Sequence, residues 1–421
     1  MAGLVESSLC TTEFPDVVDP YNDPRCKSEG IQADLAWIIG LESTISVIPG
    51  LIMSIPYGII ADKYGPNIVL GLIWVGQFFS EGGHLLVCLN PQLFNVRWIW
   101  ASSLMTVIGG GGASWAAMRF LIGASLVSEK NRITLFFYLQ AYGTCMAFLT
   151  GPVGYFLVSR GGPVWAQVAG VAIIASMIIP GFALPRKLSN TPLVAEESEH
   201  LSIKARVTDL VNTTTSTLRL IFVHNLRLTL LLIGVMFTTL GAYEVTFRLQ
   251  YATKRFGWTW AKANLLSSVV AISNLTVLSI VLPAASYLML KYKFSTLKKD
   301  LWLARGSGCI QVIGSFLTAL APSGPTFVAS VALYECNKGY MPSVVSLIAS
   351  VAKLAGVEQQ TTIYACVSTM VAFGAMLSGP VMASAFRIGL RWGESWYGLP
   401  FVAAGVLQLL TLFILLYVRH K

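Results

Sequence analysis

The chain has 421 residues, of which 55% are hydrophobic and 12% charged, and its formal net charge is +9. Soluble domains carry about 25% charged residues, so charge this sparse cannot cover a globule of this size, and lipid must contact much of the surface. An ordinary soluble protein is therefore excluded. The basic residues are scattered between apolar runs rather than clustered, which indicates membrane topology instead of a nucleic-acid-binding surface.

Residues 1–30 are polar, contain Pro15, Pro20 and Pro24, and include no apolar run. We therefore expect neither a signal peptide nor a helix here, but a segment outside the cytoplasm. Cys10 and Cys26 could form a disulfide if this segment lies in an oxidising compartment, and the sequence leaves that pairing open. The chain has no CxxC pair and no Cys/His cluster, so we expect neither a metal nor a cofactor.

Apolar stretches of about 20 residues, long enough to cross a bilayer, follow one another along the rest of the chain. Five precede a polar interval and six follow it, which predicts an all-α, polytopic protein with about 11 transmembrane helices. We expect an N-terminal segment (1–30), a five-span bundle (31–185), a cytoplasmic linker (186–225) and a six-span bundle (226–421). The predicted spans are Leu41–Ile60, Ile68–Leu89, Ile99–Ser125, Ile133–Val158, Val164–Leu184, Leu226–Leu249, Ala263–Leu290, Leu301–Leu320, Thr326–Val351, Thr361–Phe386 and Leu399–Val418.

A short charged turn with Gly58, Asp62, Lys63 and Gly65 joins the first two predicted spans. Its pattern, Gly-x-x-x-Asp-Lys-x-Gly, resembles the signature loop between the second and third helices of the major facilitator superfamily of secondary transporters. The resemblance implies two six-helix bundles that transport by alternating access. It also implies that Asp62 contacts the start of the eleventh helix, near Thr361, when the cytoplasmic side is closed.

Because the signature loop follows the first predicted span here, we expect the chain to lack the first helix of the family. Either a truncated gene model or a genuine short variant would explain this. The family usually has two basic residues at the end of the loop, where this chain has Pro66 and Asn67.

Two glycine-rich motifs lie within predicted spans. The first is Gly109, Gly110, Gly111 and Gly112; the second is Gly151, Pro152 and Gly154, which looks like part of the Gly-Pro signature of proton-coupled antiporters. Glycine runs let another backbone approach closely, and Gly-Pro kinks a span and frees a carbonyl group, so helix packing alone is the alternative interpretation. Met105 stands where many proton antiporters have an arginine, which weakens the case for proton coupling there. The last two spans resemble fungal members of the superfamily, many of which are exporters.

Ionisable residues inside spans are candidates for function, because a charge at mid-bilayer costs roughly 2.5–3.5 kcal/mol even on insertion scales. Glu335, Asn337 and Lys338 lie near the middle of one predicted span. The spacing places Glu335 and Lys338 on one helix face, either as a structural pair or as a pair that binds protons or solute. Glu244 and Arg248, four residues apart, favour a salt bridge at the membrane interface.

The remaining candidates are less specific. Arg119 lies close enough to the cytoplasmic end of its span to snorkel, with a solute-facing charge as the alternative. Glu42, Glu81 and His84 favour structural roles, and His84 is typical of a satisfied buried histidine. Four residues could line a cavity for an amphipathic organic molecule or simply pack: Trp115, Gln140, Tyr142 and Tyr243.

The orientation follows from the basic residues, which are about twice as frequent on the side of the Asp62 loop and place that side in the cytoplasm. The N-terminus is then outside and the C-terminus inside. The chain has no phosphate loop and no catalytic constellation, so we expect neither an ATP-driven pump nor an enzyme.

We expect a monomeric secondary transporter of the plasma membrane that exports a small organic solute such as a secondary metabolite or a drug. Its driving force would be the proton gradient or the gradient of the solute itself. A proton-coupled uptake symporter similar to folate carriers and a truncated, non-transporting product are the alternatives.

Overall fold

The computed structural model describes residues 1–21, 23–112, 114–115, 118, 132–184, 225–292, 296–354 and 360–417. These ranges are almost entirely helical, and no strand occurs among them. The helices of the first half are α1 (Ala2–Glu13), α2 (Glu29–Ile45), α3 (Ile48–Tyr64), α4 (Pro66–Leu89), α5 (Ile99–Leu104) and α6 (Arg132–Ala183).

The helices of the second half are all shorter than α6, and α15 is the longest of them. They are α7 (Leu226–Ala242), α8 (Arg248–Phe256), α9 (Trp260–Asn264), α10 (Leu266–Thr276), α11 (Leu282–Lys291), α12 (Thr296–Ala319), α13 (Gly324–Glu335), α14 (Tyr340–Leu354), α15 (Gln360–Trp392) and α16 (Leu399–Tyr417).

Seven helical stretches in the described ranges are long and apolar enough to cross a bilayer. This confirms the predicted class, an all-α multi-pass membrane protein, but not the predicted number of spans. Two predicted spans fall within α6, whose chain turns at Gly162, where φ is 71°. The seven stretches are Glu29–Met53, Pro66–Leu89, Tyr142–Ala183, Leu226–Phe256, Trp260–Met289, Cys366–Trp392 and Glu394–Tyr417.

The expectation of no helix in residues 1–30 is wrong. Residues Ala2–Glu13 form α1, and its Leu4 and Val5 are buried against Leu35 of α2 and against Trp260 from the second half. Twelve residues of helix are about 18 Å long, little more than half of a bilayer core. The segment is too short and too polar for a hydropathy signal, and tertiary packing stabilises it instead.

The first predicted span also begins earlier than expected, at Glu29 rather than at Leu41. Gln32 is fully buried there, so a polar residue that lowers the hydropathy of the segment is satisfied inside the protein. At the other end of this span, α3 continues through Asp62 and Lys63 and ends at Tyr64. Gly65 alone, with φ of 103°, reverses the chain before α4 begins, a conformation that residues with a Cβ rarely adopt.

Several spans change backbone geometry near their middle. The predicted continuous span Ile99–Ser125 is interrupted: α5 ends at Leu104, a 3₁₀ turn follows at Met105–Val107, and Gly109 to Gly111 have φ of 90°, 78° and 58°. The others are the 3₁₀ segments Tyr243–Phe247 and Cys336–Gly339 and the π-helical segment Val277–Val281. Irregular backbone at membrane depth is tolerated inside protein or along a water-filled cavity. The two 3₁₀ segments of the second half contain buried residues, whereas Ile280 and Val281 of the π-helical segment are exposed.

The two halves meet mainly through three helix pairs: α2 with α15, α6 with α9, and α6 with α10. The main packing partners of α3 are instead α4 and the Met105–Val107 turn, both in the first half. We name the end of the molecule that carries the Cys10–Cys26 disulfide the disulfide end, and the opposite end the Gly65 end. The two halves thus pack closely from the disulfide end towards the middle.

Candidate functional site

A cluster of four charges lies in the interior of the second half, centred on Arg248. One guanidinium nitrogen of Arg248 lies 2.9 Å from Glu244 Oε1, and the other lies 2.7 Å from Glu335 Oε1. The side chains of all three residues are at most 4% exposed. The expected salt bridge between Glu244 and Arg248 is therefore present, but it is buried in the protein, and Arg248 is shared with Glu335.

Lys338 completes the cluster. Its Nζ lies 2.8 Å from Glu335 Oε2, as the i, i+3 spacing predicts, and its side chain is 36% exposed. Two acids and two bases give the cluster no net formal charge. Buried ions need this kind of compensation, since the loss of one partner leaves an unpaired charge in a low-dielectric setting.

Polar side chains from the helix of Glu335 and from two further spans surround the ions. The guanidinium of Arg248 lies 4.7 Å from the ring centre of Tyr334, whose hydroxyl accepts a hydrogen bond from Gln408 Nε2 at 3.2 Å. Gln408 Oε1 in turn accepts one from Ser315 at 2.7 Å. Among the described residues, Arg248 Nε and Glu244 Oε2 have no hydrogen-bond partner, so the cluster can form further hydrogen bonds.

A seam of small residues joins α2 and α15. An added Cβ at Gly40 would lie 2.7 Å from Ala383 Cβ and from the carbonyl oxygen of Gly379. Thr44 donates a hydrogen bond to the carbonyl of Met376 at 2.8 Å. We call these contacts the helix seam. Its closeness depends on the absence of side chains at the two glycines.

A buried polar network, which we call the polar lock, closes the disulfide end beyond the helix seam. The carboxylate of Glu6 accepts hydrogen bonds from Lys27 Nζ at 2.7 and 2.8 Å, from Trp260 Nε1 at 2.6 Å, and from Gln32 Nε2. Gln250 donates to the carbonyl of Gln32 at 2.7 Å. Since Trp260 and Gln250 belong to the second half, the lock spans both halves.

The loop that carries the disulfide is itself held by ions. Arg25 pairs with Asp16 at 2.7 Å and with Asp23 at 2.8 Å, and its hydrogen bonds lower the pKa of both carboxyl groups. Burial lowers the pKa of Lys27, while the carboxylate of Glu6 opposes that shift.

A second buried group of polar side chains lies within the first half. Ser103 of α5 donates a hydrogen bond to Glu42 of α2 at 3.2 Å and lies 3.0 Å from His84 Nε2. Glu81, one turn before His84 on α4, accepts a hydrogen bond from Gln167 of α6 at 2.7 Å. Sequence reasoning treated Glu42, Glu81 and His84 separately, and the structure brings them together. Among the described residues, no group of His, Cys, Asp and Glu has the arrangement of a metal site.

The sequence matches the family model of the Major Facilitator Superfamily over residues 30–379, which is most of the chain. The chain belongs to the major facilitator superfamily. It is therefore a membrane transporter and not an enzyme.

Two curated members of the superfamily show the similarity in more detail. The "MFS efflux pump atnC" of Emericella nidulans is 30% identical over 420 residues, which cover 96% of this chain and 80% of that protein. The "efflux pump ustT" of Aspergillus flavus is 28% identical and covers 87% of this chain and 73% of that protein. The predicted resemblance to fungal efflux-type members is confirmed.

Solved superfamily structures share the fold. A D-xylose-proton symporter superimposes with a TM-score of 0.62 at 18% identity, covering 98% of this chain and 93% of that one. The nucleoside transporter NupG has a TM-score of 0.64 at 15% identity, covering all of this chain and 98% of that one. At these identities the likeness concerns the fold alone.

The Gly-Pro motif of this superfamily member lies where α6 meets α10. An added Cβ at Gly151 would lie 2.1 Å from the hydroxyl of Ser268, so no larger residue fits there. Pro152 cannot donate to the carbonyl of Phe148, and Ser268 donates to that carbonyl at 3.0 Å instead. Gly154 lies near Asn264, 3.6 Å from an added Cβ. This geometry favours the helix-packing interpretation of the motif.

The glycine run of the fourth span also makes a close contact, but as a break rather than as a helix. An added Cβ at Gly109 would lie 2.4 Å from the backbone of Ile73 on α4. Gly110 and Gly111 share its positive φ, whereas Gly112 begins the next helical turn and has open space around it. The run therefore gives the fourth span a turn that packs on α4.

The predicted gating residues are only partly described. Asp62 and Lys63 are in the last turn of α3, and their side chains lie outside the described part of the structure. Gly58 has no atom within 4 Å of an added Cβ. Asn67, at a position that is usually basic in the family, donates to the carbonyl of Phe182 at 3.3 Å.

The predicted cavity-lining residues do not form one group. Trp115 packs edge-on against Trp74 with ring centres 5.0 Å apart, and Tyr142 is 62% exposed. Tyr243 and Asn337 are half-buried in two of the 3₁₀ segments. Arg119 and the side chain of Gln140 lie outside the described residues.

Sequence reasoning missed several residues of these networks. Glu6, Gln32, Gln250, Tyr334 and Gln408 are all nearly or fully buried and hydrogen-bonded. A polar residue inside an apolar run, such as Gln408 in Leu407–Leu410, is the signal that could have indicated them, because a buried polar group must find a partner.

Proposed function

We propose that this transporter exports a small amphipathic organic solute by alternating access, with the Arg248 cluster as part of its solute site. The observation that carries the proposal is the position of Lys338. It is the partly exposed member of an otherwise buried ion cluster and lies in the irregular Cys336–Gly339 segment, near the middle of its span. An ionisable residue at this depth is energetically costly, and such residues therefore commonly mark the path of a transported solute or ion.

The residues of the cluster have different roles in this proposal: some contact the solute, and the others compensate the buried charges. Lys338 offers an ammonium group to the solute, and Asn337 beside it offers an amide. When Lys338 turns from Glu335 to a solute, Arg248 still compensates Glu335 at 2.7 Å. Glu244 then balances Arg248, so the site can exchange its solute contact without exposing an unpaired buried charge.

We infer that the disulfide end faces the cell exterior and the Gly65 end the cytoplasm of a plasma-membrane protein. The Cys10–Cys26 disulfide supports this, because disulfides persist in oxidising compartments. The excess of basic residues on the opposite side supports it independently. With helix seam and polar lock closed outside, the described state is the one in which an exporter loads solute from the cytoplasm.

The names of the relatives favour export, since atnC and ustT are both described as efflux pumps. We propose a monomer of two bundles, residues 31–185 and 226–421, joined by a cytoplasmic linker. The driving force is the proton gradient or the gradient of the solute. The competing function is proton-coupled uptake through the same fold.

The test is export of two fluorescent probes, the anion fluorescein and the cation rhodamine 6G, by yeast that lacks its own drug pumps. We expect the chain to lower intracellular dye and Glu335→Gln to abolish that effect at unchanged surface level. The pair Glu335→Gln with Lys338→Met should restore any lost expression but not export. Higher intracellular dye in cells with the wild-type chain would establish uptake, and normal export by the double variant would remove the pair from the site.

A further inference from the structure

The polar group of the first half contains a buried histidine nitrogen without a partner. His84 is 2% exposed, and its Nδ1 has no hydrogen bond to any described residue. It lies 3.5 Å from Glu81 Oε2. The proposed solute site, in the second half, makes no use of these residues.

The hydrogen bonds of the ring define which nitrogen is vacant. His84 Nε2 lies 3.1 Å from the carbonyl oxygen of Ile99, and a carbonyl only accepts hydrogen bonds. Nε2 therefore carries the hydrogen of the neutral ring, and Nδ1 carries a lone pair. A lone pair that faces a carboxylate is unfavourable, whereas a proton on Nδ1 turns the same contact into a charge-assisted hydrogen bond.

We propose that His84 Nδ1 is a proton-binding site whose occupancy controls the helix seam. The proposal rests on the proposed transport function and names its coupling ion as the proton. The proton is taken from water and adds one positive charge, and no covalent bond within the protein breaks. Two partly exposed carboxylates, Glu42 and Glu81, flank the buried ring and connect it to the surroundings.

The link from His84 to the helix seam runs through α2. Ser103 contacts His84 and donates to Glu42, which lies between Gly40 and Thr44 in the sequence of α2. Gly40 and Thr44 are the residues of α2 that form the seam with α15. A change of charge at His84 therefore acts on Glu42, on one face of α2, while Gly40 and Thr44 on another face of α2 contact the second half.

The other polar and titratable groups near the ring come from every element packed around it. On α4 itself these are Gln77 and Cys88 besides Glu81, and α6 contributes Gln167. The amino group of Met1 on α1 acts electrostatically on Glu42, Glu81 and Cys88. Histidine is the one side chain among them whose ordinary titration range spans neutral pH.

The direction follows from the described conformation. Glu42 of α2 interacts electrostatically with His84 while the seam is closed, so a positive charge on the ring holds α2 in this position. Proton binding and seam closure then favour each other reciprocally. Acidification should close the disulfide end.

The first measurement is the histidine ¹⁵N spectrum of the purified full chain, which has four histidines. His84→Gln identifies the His84 signal, because glutamine retains an N–H for Ile99 but has no counterpart of Nδ1. We compare spectra at pH 8 and pH 5.5, and we expect the His84 signal to differ between them and Glu81→Gln to alter that difference. A His84 signal that does not change over this range would overturn the proposal.

The second measurement reports the seam without any solute. Ala36, which is buried against the second half, is replaced by cysteine after the free cysteines have been changed to serine. We expect an aqueous thiol reagent to label Ala36→Cys about tenfold more slowly at pH 5.5 than at pH 8. His84→Gln should abolish this difference, and the control His420→Gln should retain it.

A pH-independent rate, a rate that rises on acidification, or an unchanged difference in His84→Gln would contradict the proposal. Neither measurement depends on dye export. A chain that exports dye but shows no titration at His84 would refute only the proton site, and the opposite result would refute only the assigned solute site.

Discussion

The two ends of this transporter differ in how the halves of the chain meet. At the disulfide end, α2 and α15 pack at a distance that only glycines allow, and the polar lock, with four buried side chains and the half-buried Lys27, joins the halves. At the Gly65 end, α3 packs chiefly within its own half. The first predicted span thus consists of two parts. Its first part, α2, contacts the other half, whereas its second part, α3, lies mainly outside that contact.

At the disulfide end, close glycine packing and satisfied polar groups therefore add to the apolar contacts that Ala36 and Leu35 make with the second half. The break between α2 and α3, at Ser46 and Val47, is where one part of the span can change direction relative to the other.

The largest expected effect concerns the disulfide that anchors the polar lock. Replacing Cys10 and Cys26 by serine frees a loop of 16 residues, and loops of that length lose about 3 kcal/mol of stabilisation. We expect a lower thermal unfolding temperature in detergent. The exposed free cysteine offers the control, since Cys145→Ser should change nothing. Labelling of Ser198→Cys but not of Ser7→Cys by an impermeant thiol reagent on intact cells, in variants without other reactive thiols, would contradict the proposed orientation.

The helix seam is the next target. In Gly379→Ala the new Cβ would lie 1.8 Å from the carbonyl oxygen of Gly40, so α2 and α15 must separate. Overpacking of this kind costs up to about 3 kcal/mol, and we expect the disulfide end to open. Faster thiol labelling of Ala36→Cys measures the opening.

The matched control for the seam is Gly82→Ala, which has no atom within 4 Å of the added Cβ. Equal labelling rates in the two alanine variants would show that the seam does not limit access.

At the Gly65 end, Asp62→Asn tests whether a charged contact takes the place of the seam. A carboxylate at a helix N-terminus contributes up to about 2 kcal/mol, which corresponds to a shift of roughly 30-fold in the access equilibrium. We expect dye export to slow strongly while solute binding in detergent changes little. Asp16→Asn, an exposed acid at the opposite end, is the control. Wild-type turnover in Asp62→Asn would remove the gating role.

The smallest effect is expected for Trp260→Phe, which keeps an aromatic side chain but removes the indole N–H that donates to Glu6. Lys27 still compensates the carboxylate, so the loss is about 1–2 kcal/mol. A modest rise in the labelling rate of Ala36→Cys is the readout. A larger effect than in Gly379→Ala would reverse the order of importance between polar lock and helix seam.

The apolar runs and the Asp62 turn are enough to assign this protein to the multi-pass helical membrane proteins and to its superfamily. Apolar runs of about 20 residues can only be helices in lipid, because every backbone polar group must be satisfied within the segment. The Asp62 turn then indicated the superfamily, and the i, i+3 and i, i+4 spacings correctly paired Glu335 with Lys338 and Glu244 with Arg248.

That the two pairs form one buried cluster is visible only in the folded protein. Local spacing cannot tell which way a long side chain turns, and Arg248 reaches Glu335 because two distant spans pack side by side. The same reason applies to α1, whose stability comes from neighbours, and to His84, which sequence patterns treated as satisfied. Whether its second nitrogen has a partner depends on four helices that the chain brings together only on folding.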